Sequence, residues 1–335
     1  MLIVKQRLAW LIFALAFLFL CSGCRDESEN YRTNNANKLI LRLAETQAAG
    51  TPSGKGVREF ARLVEQKTAG RIKIKIYYSG QLGQEASVLE QVRFGGIDLA
   101  RVSLASLEQH SVAVRMATLP YLLTSQSQML RIADGAIGIK IGEDLLKEKI
   151  VCLTWYDGGA RVFYNTRRAI QAIEDYRGLK IGNQRSPHMV ELYNYMGAAT
   201  APVALHEQYR ALQSGLIDAV DDSLATYYVH RHYEVAKHLL YDSQSRIPEV
   251  VVASRVTMMQ LPRQDQEILA QAAQESLAVQ LQAWSELEVE AFDRLRELGV
   301  LVHYEDAVGR KSMLTAAQPL YNSFRAADLQ NIFHH

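Results

Sequence analysis

From residue 38 onward the apolar positions follow two periods in turn. Leu39-Ile40-Leu41-Arg42-Leu43-Ala44 is a nearly unbroken apolar run of strand length. EFARLVEQKTAG (59–70) places Phe60, Leu63 and Val64 on one helical face and stops at Gly70. RIKIKIYY (71–78) alternates Lys with Ile, the mark of a half-buried strand. SVLEQVRFGG (87–96) predicts a helix closed by glycines, and Ile97-Asp98-Leu99-Ala100 a short buried strand. IVCLTW (150–155) predicts another strand, and the alternation continues beyond it. Helices and strands in turn imply an α/β fold with mainly parallel pairing.

GLKIGNQRSP (178–187) shows how one such strand ends. Ser186 suits an N-cap and Pro187 a first helical position. Met189, Leu192, Tyr193 and Met196 recur at i, i+3, i+4 and i+7, so 187–196 is an amphipathic helix stopped by Gly197. The loop 182–186 therefore precedes a helix N-terminus, where free N–H groups favour an anion, and Arg185 adds positive charge there. A solvent-facing turn is the plainer reading.

An internal echo links two distant segments. LEQVRFGGIDLARVS (89–103) and YRALQSGLIDAVDDS (209–223) each run helix, glycine stop, Ile-Asp and polar outlet. The outlets are Arg101-Val102-Ser103 and Asp221-Asp222-Ser223, which suggests two α/β domains built alike. Ligands of open α/β sheets bind beyond the carboxyl ends of strands, where both outlets lie. The stretch 261–299 has a helical pattern long enough to brace both domains, as one helix or as two with a bend.

Composition narrows the function classes. The chain has 335 residues, 48% hydrophobic and 22% charged, so it can bury a sizeable core. A net charge of +1 with scattered arginines argues against a nucleic-acid surface. Lys5 and Arg7 precede an apolar run, Leu8 to Leu20, that is short for a membrane span of ~20 residues. This is the pattern of a secretory signal, residues 1–23. Ser22-Gly23-Cys24 resembles a lipobox with a lipidated Cys24; a plain cleaved signal or an uncleaved anchor are the alternatives. Residues 24–37 read as a flexible tether. Processing leaves Cys24 and Cys152, too few for a disulfide framework or a cysteine metal site.

No catalytic set emerges. HEQYR at 206 begins like a zinc-protease helix but ends on Arg210, and no P-loop, nucleophile elbow or dinucleotide loop occurs. His230, His232, His238 and Glu234 offer a weak metal set, and Asp221-Asp222 a weak cation or acid–base pair. Arg161 stands out. DGGARVFYNT (157–166) sends an arginine into a buried strand, which demands an anionic partner. Its planar fork suits bidentate capture of a carboxylate, and an internal salt bridge is the competing explanation.

Together these segments resemble a known family. FARLVEQKTAGRIKIKIYYSGQLGQE, GGIDLARVS, TLPYLL, GGARVFYN, YRGLKIGNQRSP, GAATAPVALHEQYRALQSGLIDAVDDS and HRHYEVAKHLL match, in order and spacing, the DctP-type extracytoplasmic solute-binding proteins of TRAP (tripartite, ATP-independent periplasmic) transporters. The resemblance runs from Leu39 to about Asp306. It implies a two-domain α/β periplasmic solute-binding fold, with a cleft closing on a small organic acid and a long domain-spanning helix. The expected domains are 38–158 plus about 247–286, and 159–246 plus about 287–330.

The family typically meets the ligand carboxylate with two arginines. One matches Arg161; the place of the other is Gly182, and a usual asparagine is replaced by Asp222. The closest version of the pattern is that of uronate and related sugar-acid binders. The resemblance implies a non-catalytic, periplasmic binding subunit that serves small and large membrane permease subunits. It implies no cofactor, metal or nucleic acid, and membrane contact through the lipid anchor only. A sensor subunit, or an exported lyase or hydrolase, is the rival reading. The expected cleft residues are Arg161, Arg185, Asp222, Gly182 and Asn183, with Thr46, Gln47, Ser103, Leu205 and Tyr209 on its walls.

Overall fold

The computed structural model describes residues 33–34, 38–183, 187–241, 246–304 and 307–324. The chain opens with β1 (Thr33–Asn34), β2 (Lys38–Glu45), α1 (Pro52–Lys67), β3 (Ile72–Tyr77), α2 (Glu85–Phe94) and β4 (Leu99–Ser103). Then come α3 (Val112–Ala117), α4 (Gln126–Asp134), α5 (Ala136–Lys147) and the long β5 (Ile150–Asn165). A second region holds β6 (Lys180–Asn183), α6 (Pro187–Tyr195), β7 (Ala199–Pro202), α7 (Leu205–Ser214), β8 (Ala219–Ser223), α8 (Leu224–Val229) and β9 (His238–Tyr241). The chain returns through β10 (Arg246–Ser254), α9 (Arg255–Gln260), α10 (Arg263–Glu297), β11 (Leu301–Tyr304) and α11 (Ala307–Asn322).

Two sheets share β5. In the first lobe β2 lies parallel to β3 and β4, while β10 runs antiparallel to β4 and to the first half of β5. In the second lobe β6 lies parallel to β7 and β8, and β9 parallel to β11, with the second half of β5 antiparallel to both β8 and β9. The sheet is therefore mixed, not mainly parallel. Parallel pairs stay within each lobe, and all antiparallel pairs of the described residues except β1 with β2 involve β5 or β10, the two strands that cross between lobes in opposite directions. A strand buried on both faces reads the same in either direction, so its pairing sense does not show in the apolar pattern. Thr33–Asn34, within the stretch read as a tether, pairs antiparallel with β2.

The echo read from the sequence has a structural counterpart. α2 and α7 each end on a left-handed glycine, Gly95 (φ 77°) and Gly215 (φ 73°), and each feeds a buried strand. Glycine takes this conformation without the Cβ clash that other residues suffer. One core packs Leu41, Leu43 and Phe60 against Leu269 and Ala273 of α10. Another packs Val162, Tyr164 and Tyr227 against Ala291 and Leu295 of the same helix. A third runs through both lobes, from Val88 and Val102 to Phe163, Tyr176 and Leu320. α10 is one helix of 35 residues, which settles the choice between a single brace and a bent pair.

The crossing point of β5 is held by α10. Gln280 Nε2 donates to the Asp157 carbonyl at 2.5 Å, and its Oε1 accepts from the Asp157 amide at 3.2 Å. The Trp284 indole donates to the same carbonyl. The Asp157 carboxylate accepts from Arg246 Nη2 at 2.7 Å, from the Gly159 amide at 2.9 Å and from Gln126 Nε2 at 3.1 Å. Gly159 has φ +83° and lies flat against the Trp284 ring, where any Cβ would come within 3.0 Å of the indole. The crossing is therefore a fixed backbone shape with a glycine at its centre, next to the ends of β4 and β8.

Candidate functional site

The carboxyl ends of β4 and β8 meet the crossing segment of β5 and the start of β10. Between them lies a cavity of about 40 Å³, lined by Gln47, Glu85, Arg101, Ser103, Gly158, Arg161, Asp221, Asp222, Ser223 and Glu249. The lining comes from both lobes. A wider, shallow depression of about 600 Å³ lies along α6, beside Pro187, Val190, Glu191, Asn194 and Tyr195. It holds one carboxylate and no buried polar cluster, so the chemistry is concentrated in the smaller space.

The first-lobe wall is built on Arg101, a fully buried side chain. β4 aims it between two neighbouring strands. Nε donates to Glu45 Oε2 at 2.9 Å, and Nη2 to Glu45 Oε1 and to the Thr46 hydroxyl, the latter at 3.0 Å. Nη1 donates to Glu249 Oε1 at 2.9 Å and lies 3.6 Å from Glu85 Oε1. Burial opposes its charge, but Glu249, Glu45 and Glu85 together raise its pKa above the ordinary arginine value. The rest of the wall follows. Glu249 accepts from Ser53 Oγ at 2.6 Å, Glu85 from the Ser103 amide at 3.1 Å and from Ser106, and Glu45 from the Gln47 amide at 2.7 Å.

The second-lobe wall pairs β5 with β8. Arg161 Nε donates to Asp221 Oδ1 at 2.8 Å and Nη2 to the Asp221 carbonyl at 3.1 Å. Arg161 and Asp221 share one face of the sheet with Phe163, and Asp222 leaves on the other face beside Val162. Asp222 Oδ1 accepts from the Ser223 amide at 2.6 Å and from Thr226 Oγ1 at 3.0 Å. The anionic partner that a buried arginine demands is therefore the internal Asp221, and two of the five Arg161 donors have partners among the described residues. Behind the cavity, Arg246 is engaged by Asp157 and lies 3.6 Å from Glu288.

Among the described residues, Glu85, Glu249, Asp221 and Asp222 line the cavity together with Arg101 and Arg161, and Glu45 pairs with Arg101 behind it. Burial pushes the Glu249 carboxyl up to about 7 against the pull of Arg101, and pushes Asp222 up to about 6 against its hydrogen bond to Ser223 and the charge of Arg161. A carboxyl whose pKa is raised by folding contributes stability below its unfolded pKa and loses it as pH rises through the folded value. For Glu249 that window runs from the ordinary 4.5 to about 7. The difference corresponds to about 3 kcal/mol at ~1.4 kcal/mol per unit. Thermal melts of the unliganded chain are expected to fall by several degrees between these pH values. Glu249→Gln should flatten the slope; an unchanged slope in that variant would place the effect elsewhere.

Of the residues expected from sequence, Gln47, Ser103, Arg161 and Asp222 line the cavity, and Thr46 sits directly behind it on Arg101. Gly182 does not line it. It lies in β6 opposite Val220, and a Cβ there would meet Ile217 Cδ1 at 2.6 Å, in the second-lobe core. Leu205 opens α7 and is not among the cavity's lining residues, and Tyr209 donates to Glu234 Oε2 at 2.9 Å on the surface. Asn183 ends β6, and nothing further is described of its side chain. Arg185 and Cys24, with the whole segment read as a signal, lie outside the described residues. Arg101, Glu45, Glu85 and Glu249 were not foreseen as site residues. For Glu45, Arg101 and Glu249 the signal is of the same kind as that of Arg161, a charge bordering an apolar run, in LILRLAE, IDLARVS and IPEVVVAS; Glu85, at the start of α2, carries no such signal.

Other candidate chemistry does not assemble. Among the described residues no group of three or more His, Cys, Asp or Glu is placed to hold a metal ion. His232, from the weak metal set, is buried with Nδ1 at 2.8 Å from the Tyr164 hydroxyl. Burial and then His230 bring its pKa down to about 3. Among the described residues no helix is long and apolar enough to cross a membrane.

Comparison with known proteins agrees with this architecture. A TRAP periplasmic solute-binding protein from Sulfitobacter sp. NAS-14.1, solved with bound β-D-galacturonate, superposes with a TM-score of 0.83 at 31% identity, over 88% of this chain and 99% of that one. One from Roseobacter denitrificans with bound β-D-glucuronate gives a TM-score of 0.84 at 25% identity, over 88% and 98%. A solute-binding protein of Chromohalobacter salexigens is 28% identical over 273 residues, 82% of this chain and 81% of its own length. The family profile described as bacterial extracellular solute-binding protein, family 7 (DctP) matches residues 43–328. The chain belongs to that family.

Proposed function

We propose that this protein is the extracytoplasmic binding subunit of a TRAP-type transporter, and that it captures a small organic acid between its lobes for delivery to membrane permease subunits. The observation that carries this reading is a cavity lined from both lobes, with Arg161 in its wall. At about 40 Å³ the cavity is far below the ~300 Å³ of a usual small-molecule site, so the lobes must part to admit a solute. Only the closed form touches a solute from both sides, and binding therefore favours closure. The relatives that hold galacturonate and glucuronate make sugar acids the first class to test. Export through residues 1–23 and anchoring through a lipid on Cys24 complete the proposal.

Mass spectrometry of small molecules released from the purified chain is expected to show a carboxylic acid, and that acid should raise the melting temperature when added back. A bound molecule without an acid group, or an acid consumed on incubation, would overturn this reading.

A further inference from the structure

The lobes also meet at a place whose residues do not line the cavity. α3 follows β4 of the first lobe and packs against α5. The chain turns off its end through the Thr118 amide to the Val114 carbonyl and the Leu119 amide to the Met116 carbonyl. The Arg115 carbonyl, between these two, takes no backbone amide among the described residues, and neither does that of Pro120. The last carbonyls of a helix need partners from outside its own ladder. Both of these carbonyls are met from the second lobe. His188, the second residue of α6, reaches the Arg115 carbonyl through Nε2 at 3.0 Å. The Tyr321 hydroxyl, on α11, donates to the Pro120 carbonyl at 2.6 Å. Phe324, just beyond α11, meets the His188 ring edge-on, with centroids 6.0 Å apart.

A carbonyl oxygen only accepts, so Nε2 of His188 carries the proton. Burial lowers the pKa of the ring, against the pull of the Arg115 carbonyl and of Glu191, so the bond is made by a neutral imidazole. His188 lies on the buried side of α6, one turn before Leu192, and α11 packs on the same helix. The two donors therefore travel together with the second lobe, while both acceptors are main-chain atoms of the first. We infer that His188 and Tyr321 form a clasp between the lobes, two positioning residues that favour the closed form and so tighten solute binding without touching the solute. The effect on affinity rests on the solute-binding reading; the effect on closure does not. Parting the lobes breaks both bonds, since each joins a side chain of one lobe to the backbone of the other. Because the acceptors are backbone, the strength of the clasp is set by the two second-lobe side chains.

The test reads lobe separation and affinity on the same samples of the full chain, stripped of solute. Labels on non-natural residues at Arg62 of α1 and at Leu216 after α7, both exposed, report the distance and leave the native cysteines untouched. Without solute, His188→Phe and Tyr321→Phe are each expected to lower the closed-to-open ratio about three- to tenfold, the worth of one neutral hydrogen bond. The double variant should lower it further. His188→Gln, which keeps an N–H donor, should return the ratio towards the parent. D-galacturonate and D-glucuronate serve as binding probes in calorimetry, and affinity for whichever binds should fall by the same factor as the ratio. Distance distributions that coincide in parent and double variant overturn the clasp. Unchanged affinity for a bound probe, with the distances lengthened, overturns its part in capture. A lengthened distance with neither probe bound supports the clasp and counts against the sugar-acid reading alone.

Discussion

Arg101→Met is expected to remove most of the folding stability of this chain. The guanidinium is completely enclosed and holds Glu45 and Glu249 by direct hydrogen bonds, with Glu85 at 3.6 Å. Methionine matches the stem and deletes the charge, so buried carboxylates are left facing one another without a cation. Breaking a buried pair from one side costs roughly 3–5 kcal/mol, and here more than one acid loses its partner. Whole domains are stable by only about 5–15 kcal/mol. Urea unfolding at pH 8 should show a loss of ~4 kcal/mol or more, or no soluble protein. Lowering the pH should return part of it, because Glu249 already binds a proton near pH 7. The triple variant Arg101→Met, Glu45→Gln, Glu249→Gln should recover most of the rest, since neutral amides in that place need hydrogen bonds and no counter-charge. A loss below ~1 kcal/mol in the single variant would show that the acids are neutral or hydrated, and the ionic account of this wall would fail.

The same cluster shows where sequence reasoning reached its limit. Periodicity placed β2 and β3 nearly to the residue; α1 begins at Pro52, seven residues before the stretch read as helix, and β4 spans Leu99–Ser103 where the reading gave 97–100. It read IVCLTW as a separate strand, whereas β5 runs unbroken to Asn165 through Asp157-Gly158-Gly159. Two glycines and an aspartate normally mark a turn; here α10 supplies Gln280 and Trp284 to hold that backbone extended, and nothing local foretells it. Arg161 was legible because a lone arginine in an apolar strand must find an anion. Arg101 met the same criterion in IDLARVS. Its partners lie 56 and 148 residues away, at the ends of other strands, so its role appears only when three strands are laid side by side. Gly182 was legible as a departure from the family pattern. That its Cα faces Ile217 and not the cavity follows from its register against Val220, which only the sheet reveals.

Arg161 is where stability and binding have to be separated. Its side chain keeps some exposure, 15%, while Asp221 behind it has 1%, so the pair is open on the arginine side and closed on the other. Arg161→Ala is expected to weaken the solute by two decades or more. Two lost charge-assisted hydrogen bonds at roughly 1.5–3 kcal/mol each exceed the ~1.4 kcal/mol of one decade. The variant should also unfold more easily, by about 1–3 kcal/mol, because Asp221 is left buried with its charge unanswered. That second effect confuses the first, and a companion substitution removes it. In Arg161→Ala with Asp221→Asn the buried charge is gone, so stability should return towards the parent value while binding stays lost. Arg161→Lys should keep the charge and part of the stability, yet bind weakly, since an ammonium cannot reproduce the planar fork. Calorimetry and urea melts on the three variants give both readouts. Solute affinity returning with stability in the double variant would show that Arg161 serves only Asp221, and the acid group of the solute would have to be met elsewhere.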